Sequence, residues 1–319
     1  MRIVVLTGGI GGARFLLGVR AHARRIGAEV TAVVNVGDDV QMHGLRICPD
    51  LDSVMYTLGG AADPVRGWGR VGESWAVKEE LAAYGAEPTW FGLGDKDIAT
   101  HLVRTTMLNA GYPLSAVTEA LCARWQPGLS LLPATDDRLE THVVVDVDGS
   151  RRAIHFQEWW VRHRGDIPTH RFVFVGAENA KPGAGVAAAL ESADIVLIAP
   201  SNPVVSIAPV LAVPGLKESV IDGPAPVVGV SPIIAGAPVR GMADRCLATV
   251  GVEVSAAGVG GLYGARSAGG LLDGWLVDPG DDDVRVPGVA VRQVPLWMTD
   301  EAATARMVAD ALDLAGVHP

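Results

Sequence analysis

The fold class read from the sequence is α/β: a Rossmann-like, doubly wound, mostly parallel sheet with a helical-plus-hairpin insert. Three observations predict it. RIVVL (2–6), ARFLLGVRAHARRI (13–26) and EVTAVVNV (29–36) form a strand–helix–strand unit, which implies adjacent parallel strands. The same rhythm returns with HRFVFVG (170–176), ADIVLIAPSNP (193–203) and APVVGVSP (225–232). Between the two stretches the pattern changes to amphipathic helices followed by a hairpin. The chain therefore divides into a core made of residues 1–60 and 166–319 and an insert over 61–165.

Each element has a local reason. The first strand is a β-branched run, as a buried strand requires. Gly27 closes the first helix as a left-handed cap. In the insert, SWAVKEELAAYG (74–85), DKDIATHLVRTTMLNAG (95–111) and LSAVTEALCARW (114–125) carry helical spacing, with Ser74 and Ser115 as N-caps and Gly85 and Gly111 as C-caps. THVVVDVDGSRRAIHFQEWWV (141–161) reads as two alternating runs joined by Asp148-Gly149. The α/β rhythm continues from GVEVSAAGV (251–259) to GWLVDPGDD (274–282), and a last helix covers about 299–315. There are no repeats, low-complexity tracts or long linkers.

Composition narrows the function. The chain has 319 residues, 49% of them apolar, and a net charge of -10. That charge argues against broad binding of nucleic acid or an anionic membrane, which reward clustered Lys and Arg. An acidic protein that handles phosphates needs a local remedy in backbone amides, a few arginines or a divalent metal. Cys48, Cys122 and Cys246 are far apart and form no C-x-x-C, so reduced thiols are expected. No stretch reaches the roughly 18 apolar residues of a membrane span, and the N-terminal apolar run ends in glycines, unlike a signal peptide. A soluble cytoplasmic protein is the expectation.

In open α/β sheets, ligands bind beyond the carboxyl ends of the strands at a switch point. Those ends here are Thr7-Gly8-Gly9-Ile10-Gly11-Gly12, Asn35-Val36-Gly37-Asp38-Asp39, Pro200-Ser201-Asn202-Pro203 and Ser231-Pro232. Glycines let main-chain N–H groups approach an anion in front of a helix N-terminus. The dinucleotide fingerprint is missed: its third position, counted from Gly9 and Gly11, is Arg14, and Asn35 stands where an acidic residue is expected. No Gly-Lys-Ser/Thr follows, so it is no P-loop either. A tight turn without a ligand is the bland alternative, but four glycines exceed what a turn needs. Asp38 and Asp39, joined by Asp50 and Asp52 of PDLD, are oxygen ligands suited to Mg²⁺. A solvated turn, with Asp50 as a helix cap, is the other reading. Ser201 and Asn202 either contact a nucleoside or form a rigid turn. Eight Trp stand against five Phe and four Tyr. Trp68, Trp90, Trp159 and Trp160 fall in the insert, as core residues or as a stacking platform. Asp97, His101 and Arg104 share one helix face, as an ion cluster or an anion contact. His155 reads as structural.

Together GGIGGAR (8–14), VNVGDD (34–39), ICPDLDSVMYTLGG (47–60), WFGLGDKDIATH (90–101), HFQEWWV (155–161), PSNPVVSI (200–207) and VSPIIAGAPVRGMA (230–243) resemble, nearly end to end, the 2-phospho-L-lactate transferases of deazaflavin biosynthesis. The resemblance is strongest to the actinobacterial branch, whose transferred group is phosphoenolpyruvyl. It implies a Mg²⁺-dependent, homodimeric transferase with no nucleic-acid or membrane partner. This enzyme would move a phosphoenolpyruvyl or 2-phospho-L-lactyl group from a guanosine diphosphate-type donor to the deazaflavin Fo, with release of GMP, in coenzyme F-420 biosynthesis. It further implies phosphate and nucleotide contacts at Gly8, Gly9, Gly11, Gly12, Ser201, Asn202 and Ser231. Metal ligands are expected among Asp38, Asp39, Asp50 and Asp52, with Asp38 and Asp52 catalytic. Deazaflavin contacts are expected at Asp52, Trp90 and Gly92, the last a lysine in some members. Two other classes share a glycine turn: a UDP-sugar-binding regulator, against which PDLD and HFQEWW argue, and an NAD(P) oxidoreductase, weakened by Arg14 and Asn35.

Overall fold

The computed structural model describes residues 1–318. Its centre is a seven-stranded, entirely parallel sheet. Strand β1 (Arg2–Thr7) lies in the middle, beside β2 (Glu29–Val34). A short hairpin, β3 (Val40–Met42) and β4 (Leu45–Ile47), follows β2. Strand β5 (Ser130–Pro133) pairs with the outer side of β2 and forms one edge. Strands β6 (Glu140–Val147), β7 (Ser150–His155) and β8 (Thr169–Val175) make a separate antiparallel sheet in the order β7-β6-β8. The central sheet resumes on the other side of β1 with β9 (Ile195–Ile198) and β10 (Val227–Val230). After a small pair, β11 (Ile233–Ile234) and β12 (Ala237–Pro238), it ends with β13 (Gly274–Val277) and β14 (Ala290–Gln293). The chain moves outward in one direction through β2 and β5 and in the other from β9 onward. The switch point is therefore the gap between β1 and β9.

Two strands change places relative to the sequence-based expectation. Ser130–Pro133, inside the expected insert, belongs to the central sheet. It ends in Pro133, which has no N–H to donate, and an edge strand tolerates that. HRFVFVG, expected in the central sheet, pairs instead with β6. Strands β9, β10 and β13 are buried along their whole length, whereas β8 keeps Arg171 and Val175 exposed. A half-exposed strand suits an antiparallel sheet, and a strand covered on both faces suits a parallel one. GVEVSAAGV contributes no strand: Ser255 caps a helix, Ala256–Tyr263, by accepting from the Gly258 N–H at 2.9 Å.

Helix α1 (Gly9–Ile26) begins at Gly9, so the glycines form its first turn rather than a loop ahead of it. Gly27, at φ 68°, closes it as expected. Helix α2 (Pro49–Leu58) carries Asp50 and Asp52 in its first turn. Helices α3 (Ala76–Ala83), α4 (Asp95–Asn109) and α5 (Leu114–Trp125) follow. The caps of α3 and α5 come from elsewhere than Ser74 and Ser115. Asp95 accepts from the Ala76 and Val77 N–H groups, each at 3.1 Å, and Asp136 accepts from the Ser115 N–H at 2.6 Å. Among the described residues no single helix is long and apolar enough to cross a membrane. Cys48 and Cys246 are buried, and all three cysteines are free thiols.

The C-terminal helix, Glu301–Leu314, packs along α1, and the contact requires Gly18. A Cβ on Gly18 would lie 2.5 Å from Thr304 Cβ and 2.6 Å from the Thr304 carbonyl carbon. Helix propensity alone favours Ala over Gly by about 1 kcal/mol, whereas overpacking costs roughly 1–3 kcal/mol. The difference leaves Gly18→Ala up to about 2 kcal/mol less stable than wild type in urea titration; a higher midpoint would contradict this packing.

Candidate active site

The C-terminal ends of β1, β2, β9 and β10 open into a cavity of about 700 Å³. Its wall includes Gly8, Gly9, Gly11 and Arg14 from the first strand end, and Asp38, Asp50 and Asp52 from the second. Ser201, Asn202 and Ser231 come from the other half of the sheet. Across the switch point the two halves are fastened directly. Ser201 Oγ donates to the Gly8 carbonyl at 2.7 Å and accepts from the Gly8 N–H at 3.2 Å.

The glycines are required first by the protein itself. A Cβ on Gly8 would meet Asp50 Oδ2 at 2.5 Å, and one on Gly11 would meet the Pro200 carbonyl oxygen at 2.9 Å. Gly12 faces inward, where a Cβ would come within 2.0 Å of Thr7 Oγ1, and it is not part of the cavity wall. Gly9 has φ +65°, a conformation that favours glycine. Helix α1 has no side-chain cap and no acidic residue in its first turn. Its first N–H groups and the positive end of its dipole therefore face the cavity.

Asn35, fully buried, organises the carboxylates. Its Nδ2 donates to Asp50 Oδ2 at 2.9 Å and lies 3.2 Å from both Asp38 Oδ1 and the Val205 carbonyl. Its Oδ1 accepts from the Gly37 N–H at 2.8 Å. The amide orientation is fixed by chemistry, since a flipped oxygen would face two carboxylates. One neutral amide is all that separates Asp38 from Asp50, and neither makes an ion pair among the described residues. Burial, then the charge of Asp50, pushes Asp38 well above the ordinary carboxylate range, against the pull of Asn35. Burial raises Asp50 to about 6, offset in part by Asn35 and the Gly9 N–H. Two buried carboxylates with no basic partner fit a hard divalent cation such as Mg²⁺, which would supply the missing positive charge.

Asp39 and Asp52 have different surroundings, although the sequence offered all four aspartates as ligands. Asp39 is turned away from the cavity. It pairs with Arg46 at 2.9 Å and accepts from the Cys48 thiol at 3.0 Å. Asp52 faces the cavity, but its Oδ1 is held by Arg104. Its Oδ2 is buried without a hydrogen-bond partner. Arg104, 1% exposed, also lies 3.0 Å from His101 Nδ1. A guanidinium only donates, so Nδ1 accepts and the His101 proton sits on Nε2. That nitrogen is 3.4 Å from Asp97 Oδ2, and Tyr56 donates to Asp97 Oδ1 at 2.6 Å. Burial, the largest influence, raises the Asp97 pKa, but His101, Tyr56 and Arg104 together outweigh it and hold Asp97 below its ordinary value. Asp52, Asp97 and His101 lie close enough to share an ion, yet a protonated Nε2 cannot ligate one. The shared face of Asp97, His101 and Arg104 is thus a buried network behind Asp52 rather than a surface cluster.

Other expected contacts also have partners within the protein. Asn202 Oδ1 caps Val204 and Val205, and Ser231 Oγ donates to the Ile233 carbonyl. Trp159 is fully buried core, its Nε1 donating to Thr169. Trp68, Trp90 and Trp160 line the cavity, as do Gly92 and Trp75. His155 is structural as expected: its Nδ1 accepts from the Gln157 N–H at 3.0 Å, so Nε2 donates to the Asp39 carbonyl at 3.1 Å. The sequence places Asn35 at a strand end that suits a ligand site but gives it no role in holding the carboxylates, and it gives Arg46, Tyr56 and Lys78 no role.

Residues 3–307 match the family model described as "2-phospho-L-lactate transferase CofD". The chain is 65% identical over 319 residues to a phosphoenolpyruvate transferase of Nocardia farcinica, covering 99% of this chain and 95% of that one. It is 62% identical to a phosphoenolpyruvate transferase of Mycolicibacterium smegmatis, covering 99% of each. Among solved structures, protein BH3568 of Bacillus halodurans shares the fold, with a TM-score of 0.62 at 19% identity over 97% of this chain and 98% of that one.

The carboxylate pair has a stability signature. Folding raises these pKa values, so metal-free protein loses stability as pH rises from 3.8 to about 6 for Asp50, and further for Asp38. Asp38→Asn removes one repelling charge. In metal-free protein it is expected to raise the melting temperature near neutral pH, flatten that pH dependence and diminish the stabilisation given by added Mg²⁺. A lower melting temperature, or Mg²⁺ stabilisation equal to wild type, would overturn the assignment.

Proposed function

The chain belongs to the 2-phospho-L-lactate transferase CofD family, and from that premise we propose that it moves a phosphoenolpyruvyl group from a guanosine diphosphate-type donor to the deazaflavin Fo and releases GMP. The observation that carries this reading is one cavity with three chemistries. It joins the uncapped N-terminus of α1, the unneutralised Asp38–Asp50 pair and an indole wall. These suit a diphosphate, a divalent cation and a flat heteroaromatic acceptor in turn. The enolic donor, rather than the phospholactyl one, is supported by relatives at 62–65% identity that are named phosphoenolpyruvate transferases.

In this reading the first-turn N–H groups of α1 and the Arg14 guanidinium hold the diphosphate. Asp38 and Asp50 would hold Mg²⁺, which when bound would supply Lewis-acid positive charge beside the phosphates. Arg104 fixes Asp52 through Oδ1, and Asp52, which lines the cavity, is the carboxylate that takes the proton of the Fo hydroxyl. The hydroxyl oxygen then bonds to the phosphorus that carries the enolpyruvyl group. The bond from that phosphorus to the GMP phosphate breaks, and its electron pair leaves with GMP. Ser201 and Ser231 act by shaping the loops, since their hydroxyls already donate to the backbone.

The test is direct. Incubated with Fo, the GTP-derived donor and Mg²⁺, the protein is expected to release GMP and form the phosphodiester; no release would remove the proposal. Asp38→Asn is expected to lower turnover by orders of magnitude with the fold intact by circular dichroism. Near-wild-type turnover would refute the role given to Asp38.

A further inference from the structure

We propose that residues 239–242 form a strap that shuts the cavity over the bound donor, with Arg240 as its clasp, and that closure keeps water from the phosphorus that Fo attacks. This rests on the transfer reaction proposed above and adds the residues that protect its donor. The strap leaves the β11–β12 hairpin and enters the helix Ala243–Thr249. Val239, Arg240, Gly241 and Met242 all belong to the cavity wall, as do Trp68 and Gly69 from the segment between α2 and α3. The hairpin is held from behind. Its turn places Ala235 at φ 50° and Gly236 at φ 75°, the two left-handed residues that a tight hairpin uses. Asp281, 8% exposed, secures that turn by accepting from the Ala235 N–H at 2.9 Å. Further on, Gly241 passes close to Trp160, whose indole would lie 3.2 Å from a Cβ there.

The other rim is folded on itself. Asp63 accepts from the Val65 and Arg66 N–H groups, each at 2.9 Å, and its carbonyl accepts from the Gly67 N–H at 2.8 Å. These bonds present the Arg66 carbonyl to the strap. Arg240 Nη2 donates to it at 2.9 Å, across 174 residues of sequence. Among the described residues no other hydrogen bond joins 239–242 to 61–72. The guanidinium lies against Gly67, where a Cβ would collide with it. Two braced rims joined by one exposed hydrogen bond open at low cost, as substrate entry and product exit require. Closed, they shield the donor. Water in the place of Fo would bond through its oxygen to the phosphorus that carries the enolpyruvyl group and lose a proton to the buffer. The bond to the GMP phosphate would break, giving GMP and phosphoenolpyruvate with no phosphodiester.

The test counts both products. With Fo, the GTP-derived donor and Mg²⁺, wild-type protein is expected to form GMP and phosphodiester in equal amounts. Arg240→Met keeps an unbranched stem and removes the clasp. It is expected to raise the excess of GMP over phosphodiester up to about tenfold, as the loss of one hydrogen bond predicts. Arg240→Lys, whose ammonium can donate to the same carbonyl, is expected to restore coupling. Gly67→Ala displaces the guanidinium from the opposite rim and is expected to uncouple the products with Arg240 intact. Equal products in Arg240→Met and Gly67→Ala would overturn the proposal. So would a rise in donor KM confined to Arg240→Met with coupling unchanged, which marks a direct anion contact instead. Hydrogen exchange in substrate-free protein gives a reading independent of the reaction. Exchange across 61–72 is expected to be faster in Arg240→Met than in wild type, and equal exchange would overturn the clasp. No GMP from wild type, together with faster exchange in the variant, would remove the transfer reaction and retain the closure.

Discussion

The amide of Asn35 is the contact on which the site depends. One buried side chain joins the end of β2, the first turn of α2 and the Val205 carbonyl near β9. Its two N–H groups are shared among three acceptors, two of them carboxylates. Where a dinucleotide-binding strand would end in an acid, this one ends in a neutral donor, and that choice allows two aspartates to stand on either side of it. The surrounding glycines follow from this arrangement. A Cβ on Gly8 would strike Asp50 and Asn35, and one on Gly37 would lie 3.0 Å from Asn35 Oδ1. The glycine turn is as much an accommodation of the carboxylate cluster as of any ligand.

Charge is sorted into two layers around that amide. Asp38 and Asp50 face the cavity with no basic partner, whereas Asp39 and Asp52 are each backed by a buried arginine. The arginines lie behind the wall, so they fix side chains without competing for a cation in front. In the proposed reading, a chain of net charge -10 would receive an anionic diphosphate through positive charge supplied locally by main-chain amides, Arg14 and a cation held by two strained carboxylates. Strain of this kind lowers the stability of the metal-free fold and is tolerated at functional sites.

The antiparallel sheet and the helices between α2 and β5 complete the cavity without touching the switch point. The β6–β8 sheet delivers Phe156 and Trp160 to the wall, and His155 braces the Asp39 carbonyl. The segment from Trp68 to Gly92 brings indoles and Lys78. The sheet edge therefore supplies main-chain amides and carboxylates, and the added elements supply aromatic surface.

What the sequence determined by itself was local. The βαβ opening, the Gly27 cap, the chemistry at each strand end and the family resemblance are all written in short stretches, because apolar periodicity and turn residues act over a few neighbours. Tertiary structure decided the rest. It exchanged β5 and β8 between sheets, since pairing depends on which faces other elements cover. It replaced Ser74 and Ser115 as caps with Asp95 and Asp136. Of four equivalent-looking aspartates it left two unpaired and gave the others to Arg46 and Arg104, which lies 52 residues from Asp52 in sequence. A carboxylate's role is set by the charges that reach it through space, and residue spacing carries no record of those distances.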